Sequence, residues 1–77
     1  MRRRPVSPLR GRIEAAEGRY AKYQSQLKEM LYQAQRSGHE GDWRESANTL
    51  QAMLSDTAAL IGVCWELNLL YQMIEEG

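Results

Sequence analysis

From Ile13 to Ala34 the apolar residues fall at alternating spacings of three and four: Ile13, Ala16, Tyr20, Tyr23, Leu27, Met30 and Ala34. That is the seven-residue repeat by which one helix presents a narrow apolar seam to another. Glu, Lys, Arg, Gln and Ser fill the places between, and Leu31 widens the seam. A half-buried strand would need alternation with period two, and no segment of the chain shows it. The pattern stops at Ser37-Gly38, where Gly38 is expected to close the helix as a left-handed residue. Arg36 in the last turn suits the negative end of the helix dipole. A second helix starts at once. Asp42, with Glu45 three places on, is close to a capping box with Asp in place of Ser or Thr. Beyond it Trp43, Ala47, Leu50, Leu54, Thr57, Ile61, Cys64, Asn68 and Tyr71 continue the rhythm. So short a connection forces the two helices antiparallel.

The expected fold is therefore an all-α antiparallel helical hairpin of two long helices. One helix covers about 13–37, the turn 38–41, and the second helix about 42–75. Residues 1–11 are expected to form a flexible basic tail, because Pro5, Pro8 and Gly11 oppose a helix there. At 77 residues this is one small domain. A single core of that size rarely supplies more than ~3–5 kcal/mol without a staple. One Cys makes no internal disulfide, and one Cys with one His makes no zinc site. The remaining staple is association. The hairpin is expected to be completed by a partner, or by homodimerisation into a four-helix bundle.

The second helix shows where. Between Thr57 and Ile74 its only charged residue is Glu66. Beside the seam runs another apolar column, Met53-Leu60-Leu67-Ile74, with Val63 and Leu70 next to it. The second helix is also the longer, so residues 68–76 overhang unless the tail extends the first helix. The expected partner interface is thus Met53, Leu60, Val63, Trp65, Leu67, Leu70, Tyr71 and Ile74. The expected folding seam is Ile13, Tyr20, Leu27 and Met30 against Leu50, Leu54 and Ile61.

The zero net charge hides an asymmetry. Arg2, Arg3, Arg4, Arg10 and Arg12 give the first twelve residues +5, and the rest of the chain carries −5. Such a tail suits nucleic acid or an acidic partner. It has no interleaved aromatics and no folded basic face, so a solvated terminus is the plainer reading. Cys64 lies on the expected seam and reads as a buried, inert thiol. His39 reads as an exposed turn residue, and Trp43 as a cover over the end of the first helix. No phosphate loop, metal box, cofactor motif or paired carboxylates in a cleft appear, so enzymatic activity and cofactors are not expected. The stretch 58–74 contains Glu66, Asn68 and Gln72 and is not expected to span a membrane. With a free thiol and no export signal, a cytoplasmic protein is expected.

Arg36-Ser37-Gly38, then Gly41-Asp42-Trp43-Arg44-Glu45-Ser46, then Leu50 and a run of aliphatics, resembles the small co-chaperones of type III secretion needle subunits. The likeness covers roughly residues 20–70. It implies a cytoplasmic helical hairpin that pairs with a TPR-like chaperone and keeps a needle subunit from polymerising early. The same residues suit a second class, a small homodimeric four-helix-bundle regulator or host-protein inhibitor of phage or plasmid type. Its basic tails would then reach nucleic acid or an acidic partner.

Overall fold

A computed structural model describes the backbone of residues 8–76 and the side chains of residues 8–75. Two helices account for nearly all of it: α1, Pro8–His39, and α2, Trp43–Glu76. They pack antiparallel, and no strand occurs among the described residues. The all-α hairpin expected from the periodicity is the fold.

The first helix starts earlier than the sequence suggested. Pro8 opens α1, so residues 8–11 belong to the hairpin and not to a tail. Proline at the first helical position costs nothing, because its missing N–H has no partner there in any helix. Arg10 and Arg12 are therefore helical, while Arg2, Arg3 and Arg4 lie outside the described residues. The extension removes the overhang. With 32 and 34 residues, the helices are about 48 and 51 Å long at 1.5 Å per residue.

The turn is also tighter than 38–41. Only Glu40, Gly41 and Asp42 separate the helices. The Asp42 N–H donates to the Ser37 carbonyl at 2.8 Å, and the Gly41 N–H to the Gly38 carbonyl at 3.0 Å. This pair of bonds is a Schellman motif, whose left-handed residue is Gly41 at φ 85°. Gly38, expected in that role, is helical; the first helix runs on to His39 because Gly41 makes the reversal. Asp42 then serves α2 as its N-cap, accepting the Glu45 N–H at 3.1 Å. One residue thus ends one helix and begins the next.

Every member of the α1 seam from Ile13 to Ala34 is buried or half-buried, as the spacing required. On α2 the inward column is Ser46, Thr49, Met53, Asp56, Leu60, Val63, Leu67 and Leu70. The fully buried core is small: Ile13, Ala16, Ala34, Val63 and Leu70. The molecule measures 65 × 24 × 14 Å with a radius of gyration of 18.1 Å, against about 11.5 Å for a compact chain of this length. It is one helix thick. A stable domain ordinarily closes its core with a second layer, and among the described residues there is none.

Candidate protein-binding face

The two apolar columns of α2 exchange the places expected of them. Leu60, Val63, Leu67 and Leu70, expected to await a partner, are packed on α1: Val63 is 5% exposed and Leu70 2%. Met53 is half-buried on the same side. Leu50, Leu54 and Ile61, expected in the folding seam, face solvent, Leu54 at 67%. Cys64, expected to be buried, is exposed with them. Three of the expected interface residues remain on the outside: Trp65 at 65%, and Tyr71 and Ile74, partly covered by the end of α1.

The physical reason is that a shift of one residue turns a helix by about 100°. Both columns repeat every seven residues and both are apolar, so periodicity alone does not choose between them. Polar contacts across the hairpin fix the rotation. At the turn, the Ser46 hydroxyl donates to the Ala34 carbonyl at 2.9 Å. Toward the open end, Arg19 donates to Glu66 at 3.0 Å, and the Tyr71 hydroxyl donates to Glu17 Oε2 at 2.6 Å. These pins hold Ser46, Val63 and Leu70 inward and leave Leu50, Leu54 and Ile61 out. The Glu17 carboxylate, accepting the hydroxyl proton, raises the Tyr71 pKa above its ordinary value; burial and the Glu17 charge act the same way, and Arg10 opposes them.

The result is a stripe along the outer face of α2. Trp43, Leu50, Leu54, Ile61 and Trp65 stand exposed along it over some 22 residues, about 33 Å of helix, while Tyr71 turns toward Glu17 on α1. Ala47, Thr57, Ala58 and Cys64 fill the gaps. Between Glu45 and Glu66 the only charge on α2 is Asp56, and it sits on the inward column, half-buried. Leu69 and Met73 extend the apolar surface at the far end. On α1, Leu31 and Tyr32 are the large apolar side chains most exposed.

The remaining side chains fall into place quickly. Trp43 lies over Gly38, within 3.4 Å of where a β-carbon would stand, yet 70% of it is exposed. It touches the end of α1 without being sealed by it. His39 is exposed in the last turn of α1. Near the open end, Arg10, Ile13, Glu14, Glu17, Tyr71 and Ile74 line a shallow concavity of about 280 Å³. Among the described residues no three His, Cys, Asp or Glu side chains gather as a metal site would need. By length and composition α2 is long and apolar enough to cross a membrane, a capacity that counting Glu66, Asn68 and Gln72 had argued against.

Fold and surface together define a two-helix hairpin with one unpartnered apolar face. No family model matches the chain, and no curated protein or solved structure matches it either.

Proposed function

We infer that the chain is a non-enzymatic protein-binding hairpin, an adaptor or co-chaperone, and that it engages its partner through the outer stripe of α2. One observation carries this. The hairpin turns Thr49 and Asp56 toward α1 while Leu50, Leu54 and Ile61 face water. A helix that over its first half turns polar residues inward and leaves large apolar ones outside has a second helical surface to meet. An apolar patch of this extent ordinarily marks an interaction site. Its spacing of four and three is that of anchors which enter a groove between helices. The co-chaperone form of this reading, with a TPR-like partner in the cytoplasm, takes its support from the resemblance around the turn. A concave array of helix pairs offers the groove required.

The stripe suits protein better than lipid. α1 lies along α2, so a membrane-spanning α2 would carry Arg19, Lys22, Lys28 and Glu29 with it. Charges at the centre of a bilayer cost about 2.5–3.5 kcal/mol each even on the lenient insertion scale.

The test compares Leu54→Glu with Leu31→Glu, a charge placed on the stripe and one placed on α1. Both variants should stay helical by circular dichroism. Proteins that co-purify with the parent chain should be lost with Leu54→Glu and kept with Leu31→Glu. Equal retention by both would refute the assignment of the stripe.

A further inference from the structure

We propose that in the absence of another partner the stripe is covered by a second copy of this chain, with the two α2 helices antiparallel and Leu50 seated against the partner copy's Ile61. The proposal rests on the stripe being the binding surface and names its occupant. Three features of the surface select that occupant.

The first is size. The exposed parts of Trp43, Leu50, Leu54, Ile61 and Trp65 amount to roughly 700 Å², within the range one partner contributes to a stable interface of standard size. A second copy supplies the other half from the same residues, as a two-fold interface requires. The product is a four-helix bundle with the α2 helices side by side at its centre.

The second is charge. α1 carries six basic residues against three acids, Glu14, Glu17 and Glu29. α2 carries Arg44 against Glu45, Asp56, Glu66, Glu75 and Glu76. Two acidic helices would repel through charged faces, but the stripe between Glu45 and Glu66 brings no charge to the contact. Orientation follows from the ends. Parallel packing would set Glu66, Glu75 and Glu76 beside their own counterparts. In the antiparallel register Glu66 comes level with Arg44 and Glu45 of the other copy, and Glu75 and Glu76 pass beyond its α2 instead of lying beside their own counterparts.

The third is shape. In antiparallel seams the alternating positions of one helix meet those of the other in layers. The layer that joins Leu50 to Ile61 also joins Ala47 to Cys64 and Leu54 to Thr57, so large side chains meet small ones. Trp65 then falls beside the small Ala47. This register separates Cys64 from its counterpart by about 25 Å along the helix axis, far beyond disulfide reach.

The experiment is light scattering of the full chain joined to oxidative cross-linking. The parent chain should scatter at twice its 8.9 kDa mass and form no covalent dimer under mild oxidation. Ala47→Cys should form one through Cys64, and Ala47→Cys combined with Cys64→Ser should not. Leu54→Glu should halve the scattering mass and remain helical. A covalent dimer of the parent chain would show parallel helices or a shifted antiparallel register, and either would overturn the proposal. So would a monomer at all concentrations, or binding of the parent chain to phosphatidylcholine vesicles that Leu54→Glu abolishes. If the chain is monomeric and Leu54→Glu still loses a captured protein, the binding surface stands and only the second copy falls. If a dimer persists in Leu54→Glu, the stripe itself is wrong.

Discussion

Truncating Leu70 and truncating Leu54 should have opposite consequences to those that apolar periodicity suggests. Leu70 is 2% exposed and is the largest fully buried side chain in the hairpin. Leu→Ala at buried sites costs about 2–5 kcal/mol, the lower part of that range applying where neighbours collapse into the gap. A hairpin one helix thick has solvent close by on both faces, so about 2–3 kcal/mol is the expected loss. Against a total of ~3–5 kcal/mol for a core of this size, Leu70→Ala leaves little folded chain. Leu54 is 67% exposed, so folding of the single hairpin buries only a third of it. At about 25 cal/mol per Å² its truncation costs roughly 0.5–1 kcal/mol. Urea unfolding followed by far-ultraviolet circular dichroism measures both, at a concentration where each chain scatters as a monomer. Raising the concentration should widen the deficit of Leu54→Ala alone, since that side chain gains its burial from association. A monomeric Leu54→Ala less stable than Leu70→Ala would show that α2 is rotated by one residue from the packing described here.

Three further outcomes follow from the turn, the helix interiors and the open end. Gly41→Ala should destabilise by about 1–2 kcal/mol, because a β-carbon at φ 85° is strained, while Gly18→Ala, with nothing within 4 Å, should stabilise by about 1 kcal/mol; thermal melts of the two should move in opposite directions. Asp42→Ala removes the cap of α2 and should cost about 1 kcal/mol in the same melts, with Asp42→Asn recovering most of it. Tyr71 should ionise above the ordinary tyrosine value, and Glu17→Gln should bring it back, as read from the ultraviolet difference between the parent chain and Tyr71→Phe. Since the hairpin raises this pKa, the contribution of the Tyr71–Glu17 bond is complete below the ordinary tyrosine value and is lost as pH rises through the folded one.

Much of the hairpin is legible in the sequence because each local choice agrees with its neighbours. The α1 seam has charged residues on every other face, so its rotation is unambiguous, and all seven seam residues turn inward. Asp42 and Glu45 mark the start of α2 unaided. The early start of α1 was hidden by reading Pro8 as a breaker, when a proline is well suited to the first turn. The rotation of α2 was hidden for a different reason. Its apolar residues surround most of the helix, so two columns qualify, and the greasier one attracts the assignment. The signal that chooses lies in the polar residues: Ser46 finds the Ala34 carbonyl and Glu66 finds Arg19, and both bonds cross the hairpin. The large apolar residues left exposed lie mostly on α2, but on a different side of it from the expected interface. Of the expected interface Trp65 stays on that side and Tyr71 and Ile74 lie at its margin against α1, whereas Leu50, Leu54 and Ile61 come to it from the expected core.

The arrangement of contacts along the hairpin also bears on how it folds. The Ser46–Ala34 bond closes a loop of only 12 residues, whereas the Tyr71–Glu17 bond spans 54. Closing the longer loop costs about 1 kcal/mol more in chain entropy. Yet four of the five fully buried side chains, Ile13, Ala16, Val63 and Leu70, lie toward the open end. Zippering outward from the turn therefore meets the Ser46–Ala34 bond first, and most of the buried packing, with the Arg19–Glu66 and Tyr71–Glu17 bonds, last. A half-closed hairpin has spent entropy without reaching its core, and it has no resting point. Kinetics should accordingly show a single phase, with a transition state already organised near Gly41 and still open at Ile13.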